Sequence, residues 1–337
     1  MRAARFHGHG QDLVVEDVDW PVPAAGQVLI DVRAAGVCGT ELHFLDGLLV
    51  PARIPITLGH EVAGVVAEVG DDVTSVAIGD RVAVHYFHAC GRCRRCLAGD
   101  DHLCDQPLGA LAFATDGGFA EQLVVPASAA VPVPDGLDLT DAAPLCCSGT
   151  TALHATNVSG VGDGDTAVVY GTGGVGLALV QVLKLAGVRV VAVARSEARL
   201  AAAREAGAEV MVNASSEDVA ARVREVTGGA GADAVFELVG TAETSRAALA
   251  SLGKGGAVVY IGYSFDRVEI DPLSLIVPEQ RILTSVGNRR SELVRALELG
   301  AAGLLRTTVR TAPLEDASRV LGDLRAGRIV GRAVLVP

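Results

Sequence analysis

Thr166-Ala-Val-Val-Tyr-Gly171-Thr-Gly173-Gly-Val-Gly176-Leu-Ala-Leu-Val-Gln-Val-Leu183 is the stretch on which the fold turns. Five largely apolar residues read as a buried strand, a Gly-x-Gly-x-x-Gly run as a tight turn, and the apolar residues after it as a helix. The 18 residues carry no charge and so meet a crude criterion for a membrane span, but Gly171, Gly173, Gly174 and Gly176 interrupt them. Strand, turn and helix account for the run better. Gly171 permits the turn, Gly173 lets a pyrophosphate approach the backbone, and Gly176 lets helix and strand pack closely. The turn from Gly171 through Thr172, Gly173, Gly174 and Val175 to Gly176 then presents the helix N-terminus, with its unpaired N–H groups, to the phosphates of a dinucleotide.

Downstream the pattern repeats. Strand 189–194 leads to helix 197–206, strand 209–212 to helix 217–227 and strand 234–237 to helix 241–251, with strands at 257–261 and 282–285. Repeated βα units with apolar strands imply a parallel sheet covered on both faces. The second strand ends Val193-Ala194-Arg195-Ser196, with Ala194 where an acidic residue would bind the ribose 2′-hydroxyl of NAD. Loss of that carboxylate removes its repulsion of a 2′-phosphate, and Arg195, Ser196 or Arg199 can bind one, which favours NADP over NAD. The alternative is that these arginines are solvated and begin an amphipathic helix.

Upstream the grammar differs. Short strands at 28–33, 61–69, 81–85 and 120–125, separated by Gly, Pro and Asp turns, suggest an irregular β-barrel. A chain of 337 residues suits two domains with a cleft between them. We place a first domain at 1–145, with a protruding lobe at about 88–106, a coenzyme-binding domain at 146–285, and a return to the first domain over 286–337 through helices at 290–299 and 314–326 and a strand at 331–336. Half the residues are hydrophobic and a fifth charged, as in globular proteins. A formal charge of −12 leaves no basic surface for nucleic acid. The N-terminus lacks the apolar core of a secretory signal, so a cytoplasmic protein with no membrane partner is expected.

Seven cysteines in such a chain point to metal or catalytic thiols rather than disulfides. Cys90, Cys93, Cys96 and Cys104 bring four thiolates together on one loop, enough for a closed tetrahedral zinc site with no position for substrate. A second set begins at Cys38-Gly-Thr40-Glu41-Leu-His43 and continues at Gly59-His60-Glu61. It supplies a thiol, imidazoles, a hydroxyl and carboxylates, the groups needed for an open zinc site and for moving a proton away from it. A third ligand is required, and Cys146 and Cys147 stand at the entry to the βα series.

The combination resembles the zinc-dependent medium-chain alcohol dehydrogenases over essentially the whole chain. The matching features are Gly36-Val-Cys38-Gly-Thr40-Glu-Leu-His43, Gly59-His60-Glu61, the four-cysteine lobe, Cys147-Ser-Gly-Thr, Gly171-x-Gly-x-x-Gly176 and Gly331-Arg332. The resemblance implies an α/β protein with a GroES-like β-barrel catalytic domain and a Rossmann doubly wound parallel sheet. It also implies a homodimer or homotetramer and two zinc ions per chain. It assigns Cys38, His60 and Cys147 to a catalytic zinc, with Glu61 as an alternate ligand, and leaves Cys146 to packing. Thr40 matches the hydroxyl that contacts the substrate oxygen, His43 the end of a proton relay through the coenzyme ribose, and Arg332 a contact to the coenzyme pyrophosphate, a plain surface arginine being its alternative.

One position departs from the pattern. Glu41 stands where the family usually has Asp orienting the zinc-bound histidine, so a rearranged hydrogen bond is expected, or else a solvated side chain. The implied activity is reversible oxidation of an alcohol to an aldehyde or ketone. Rival readings are a zinc-independent reductase of quinones or activated alkenes, a polyol dehydrogenase, and a nucleotide-sensing protein on an inactive scaffold. Retention of Cys38, His60 and Cys147 together speaks against the first, and Cys147 against the second.

Overall fold

The computed structural model describes residues 1–337, which divide into two compact units: residues 1–150 with 288–337, and residues 151–287. In the second unit, six parallel strands lie in the order Val210–Asn213, Arg189–Ala194, Thr166–Tyr170, Ala232–Glu237, Leu252–Tyr260, Arg281–Thr284. Val168, Val191, Val193, Val235 and Val258 are all buried, which is why these strands read as unbroken apolar runs. Helix Gly174–Leu185 follows the glycine turn, and helix Glu197–Ala206 ends where Gly207 takes φ 114°, a left-handed stop that glycine adopts without strain. The strand order reverses between Thr166–Tyr170 and Ala232–Glu237. In sheets of this kind ligands bind outside the carboxyl ends of the strands at such a reversal.

Several element bounds differ from the sequence reading, two of them for evident local reasons. The fifth strand starts at Leu252 rather than 257, because Leu252 pairs with Ala232 ahead of the glycine-rich Gly253-Lys-Gly-Gly segment, which carries no apolar pattern and lies at a register shift before Ala257 pairs with Ala234. The third helix begins at Val219 rather than 217, where Asp218 caps it by accepting the Ala221 N–H at 3.0 Å.

In the first unit, the long strand Gln27–Val37 pairs antiparallel with Glu61–Val69, Gln122–Pro126 and Arg332–Val336. The last of these runs parallel to Val309–Pro313, so the chain's end is built into the same sheet as its beginning. Phe6, Ile30, Phe44, Ile56, Leu58, Phe119 and Leu335 fill the core of this unit. Residues 146–150, which the sequence reading gave to the coenzyme-binding domain, stay with the first unit. They form a single π-helical turn, Leu145–Gly149, that packs on the Glu61 strand and on helix Arg290–Ala301, and the Cys146 thiol donates to the Val62 carbonyl at 3.4 Å.

Candidate active site

Cys38 ends the long strand and caps helix Gly39–Leu45, and Glu41 sits three residues into that helix. The Glu41 carboxylate accepts the Cys38 N–H through Oε2 at 2.9 Å and bonds His60 Nδ1 through Oε1 at 2.7 Å, and it is fully buried. One carboxylate therefore fastens two residues that are far apart in sequence, and the alternative of a solvated side chain is excluded. His60 leads directly into the Glu61–Val69 strand, where Glu61 pairs with Gly36. A Cβ on Gly36 would lie 2.1 Å from Glu61 Oε2, so this glycine makes room for the carboxylate.

Cys147 comes from the π-helical turn, a wide turn often found at functional sites. The turn is held by Thr150 Oγ1, which donates to the Cys146 and Cys147 carbonyls at 2.9 and 3.0 Å, and by Ser148 Oγ, which donates to the Pro144 carbonyl at 2.7 Å. The ligand atoms of Cys38, His60, Glu61 and Cys147 all lie within 4.8 Å of one another, and all four residues are buried.

The charges in this pocket are strongly coupled. Cys147 beside it, and then Arg332, hold the Cys38 thiol well below its usual range, while Cys38 and burial push Cys147 well above. Burial opposes a proton on His60, but the Glu41 carboxylate and Cys38 more than offset it and raise the imidazole. Burial pushes the Glu61 carboxyl up to about 8 even though Arg332 pulls the other way. Arg332 is buried rather than on the surface, with Nη2 2.6 Å from Glu61 Oε1.

The residues fit a metal. Two sulfurs and an imidazole converge, Glu41 occupies His60 Nδ1 and so leaves Nε2 for coordination, and Glu61 Oε2 is buried with no hydrogen-bond partner. Thr40 Oγ1 lies 3.7 Å from Cys38 Sγ, and His43 is half-buried on the same helix. Tyr86 and Phe113 stand edge-on to the His60 ring at 5.3 and 6.3 Å between centroids, and Phe44 packs on Phe113 at 5.0 Å.

Cys90, Cys93, Cys96 and Cys104 form the second cluster, and none is in a disulfide. Backbone N–H groups point at the sulfurs: Cys90 and Gln106 donate to Cys104 at 3.3 and 3.4 Å, Cys96 and Asp105 to Cys93 at 3.5 and 3.4 Å. The Cys96 N–H and then that of Asp105 bring Cys93 down to about 6, while burial pushes Cys96 up to about 12. A tetrahedral cation would stabilise all four as thiolates.

At the glycine turn, a Cβ on Gly176 would fall 2.0 Å from the Gly171 carbonyl oxygen, whereas one on Gly173 would meet nothing within 4 Å. Helix and strand are therefore in contact at Gly176, and Gly173 opens onto free space, as a turn that cradles phosphate requires. Thr172 Oγ1 donates to the Arg199 carbonyl at 3.4 Å, and Arg195 and Ser196 are exposed at the end of the second strand.

Comparison with known proteins gives the same outline. Residues 24–135 match the alcohol dehydrogenase GroES-like domain and residues 174–302 the zinc-binding dehydrogenase domain. The chain belongs to the zinc-dependent medium-chain alcohol dehydrogenase family. It is 36% identical to an alcohol dehydrogenase of Geobacillus stearothermophilus, over 99% of both chains. It is 37% identical to an NAD-dependent alcohol dehydrogenase of Sulfurisphaera tokodaii, over the full length of each. The crystal structure of the Aeropyrum pernix alcohol dehydrogenase superimposes with a TM-score of 0.95, covering all of both chains at 31% identity. In this family member the GroES-like barrel and the Rossmann sheet are the two units described above. What the sequence reading missed is the pairing of Arg332 with Glu61, 271 residues away, for which no local pattern gives a signal.

Proposed function

We propose that this protein catalyses reversible, zinc-dependent hydride transfer between an alcohol and a nicotinamide coenzyme, with an aldehyde or ketone as the oxidised partner. The buried convergence of Cys38, His60 and Cys147, with Glu61 beside them, carries the proposal. When bound, zinc supplies a Lewis acid that acidifies a hydroxyl, and the coenzyme supplies the hydride acceptor. Cys38, His60 and Cys147 hold the metal, Glu61 is an alternate ligand, and Glu41 fixes the His60 tautomer. The second zinc belongs to the four-cysteine lobe. Thr40, adjacent to Cys38, receives the substrate proton, and His43 passes it to solvent. Burial keeps His43 below its usual pKa, so its ring is neutral and able to accept a proton near pH 7.

Gly171, Thr172, Gly173, Gly174, Val175 and Gly176 cradle the coenzyme phosphates. Ala194 in place of an acid, with Arg195, Ser196 and Arg199 around it, supports NADP over NAD, although the Sulfurisphaera relative is NAD-dependent. Seven free cysteines suit a reducing, cytoplasmic compartment. No helix is long and apolar enough to cross a membrane. A homodimer or homotetramer is the assembly proposed, to be read by sedimentation velocity. It is supported by the edge strand Arg281–Thr284 and the exposed Leu273, Ile276 and Val277 just before it, because such an edge can pair with its own copy about a two-fold axis.

The direct test follows NADPH and NADH oxidation across a panel of simple aldehydes and ketones. Turnover with NADPH preferred is expected. Preference for NADH overturns the use made of Ala194 and Arg195, and no turnover with either coenzyme overturns the activity.

A further inference from the structure

The four-cysteine lobe is joined to the body of its unit by charge, across a cavity of about 280 Å³ lined by His85, Phe87, Cys96, Asp101, Ala129 and Arg290. Two carboxylates held between Cys96 and Cys104 bridge the gap. Asp100 accepts from Arg289 Nε and Nη2 at 3.1 and 2.7 Å, and Asp101 accepts the Arg290 backbone N–H at 3.1 to 3.2 Å. These are charge-assisted bonds, stronger than neutral ones. They grip the residues that open helix Arg290–Ala301, directly after Asn288, where the chain rejoins this unit.

Asn288 is fully buried. Its carbonyl bonds His85 Nε2 at 3.0 Å, and its side-chain amide donates to Tyr86 Oη at 3.2 Å. Tyr86 in turn meets the His60 ring edge-on, 5.3 Å between centroids and 79° between planes. The His60 ring is bonded through Nδ1 to Glu41 and also partners Cys38, and the Tyr86 edge packs against its face beside Phe113.

We propose that the four-cysteine lobe is a clamp for the ligand His60: Asp100 and Asp101 fix the segment Asn288 to Arg290, Asn288 fixes Tyr86, and Tyr86 holds the His60 ring facing Cys38 and Cys147. Asp101 and Asn288 are positioning residues in this scheme. The clamp rests on the reading of His60 as a metal ligand, and the lobe has a mechanical part in that centre although it offers no position for substrate.

The test uses the full chain with zinc kept in the lobe and cobalt exchanged into the Cys38–His60–Cys147 site, comparing the parent with Asp101→Ala, Asn288→Ala and the double variant. Asp101→Ala removes the acceptor for the Arg290 N–H at a part-exposed position, so the test stands even where Asn288→Ala fails to fold. With both sites filled, the visible cobalt spectrum is expected to shift and kcat to fall about tenfold at little-changed KM, the low end of the range for groups that support a metal ligand. The double variant is expected to lose no more than the worse single one, since both lie on one path. A parental spectrum and kcat in Asp101→Ala, or additive losses in the double variant, overturns the clamp. A parent that takes up metal only in the lobe overturns the metal reading itself, and metal count alone separates that outcome from failure of the clamp.

Discussion

Glu41 joins two of the proposed ligands through one side chain. Its two oxygens serve two partners, the Cys38 N–H and His60 Nδ1, from a position with no access to water. An amide of the same size cannot accept on both sides. Glu41→Gln is therefore expected to lower catalytic-metal affinity or kcat/KM by roughly 10- to 100-fold with the lobe metal retained, as measured by metal content and steady-state kinetics. Parental metal content and kinetics contradict it. The sequence marked this position as unusual and predicted a rearranged bond, but the bond to the Cys38 backbone required coordinates.

His43 carries a prediction displaced to lower pH than a free histidine would give. Burial lowers its pKa from 6.5, so the neutral, proton-accepting form persists as pH falls through 6.5, and the relay closes only below that value. The acid limb of kcat assigned to His43, identified by its loss in His43→Ala, is expected below pH 6.5. A limb above it overturns the relay assignment.

Among the elements, the glycine turn was the most legible, because strand, turn and helix each follow from short-range rules. The structure separates two glycines that sequence treats alike. Gly176→Ala forces a Cβ into the Gly171 carbonyl and should lower the melting temperature, whereas Gly173→Ala meets open space and should leave stability intact while weakening coenzyme binding. Thermal melts and coenzyme titration of the two variants measure this, and equal effects on both properties contradict it. The π-helical turn at Leu145–Gly149 was not legible. Pro144-Leu-Cys-Cys-Ser-Gly reads as a domain crossing, and in the wide turn the Ser148 and Thr150 hydroxyls bond to carbonyls three and four residues back. That widening presents Cys147 to Cys38 while Cys146 packs against Val62.

At the scale of the molecule, the sequence is transparent where recognition is local and opaque where it is distant. The βα series and the cysteine lobe could be read because their spacing is imposed by turns and metal geometry, whereas the third member of the Cys38–His60–Cys147 set was named only through the family resemblance. The Arg332–Glu61 pair and the Asp100–Arg289 and Asn288–Tyr86 contacts could not, since each joins residues about 190 to 270 positions apart; the first accompanies the sheet pairing that brings the chain's end back to the Gln27–Val37 strand. The same closure makes the first unit a single body that houses both cysteine clusters. The central claim is that turnover depends on the metal held by Cys38, His60 and Cys147. It is tested most directly by measuring zinc per chain and NADPH-linked carbonyl reduction in the parent and in Cys38→Ala. The account predicts two zincs and turnover in the parent, and one zinc, coenzyme binding and no turnover in the variant. Full turnover in a Cys38→Ala protein carrying only the lobe zinc would contradict it.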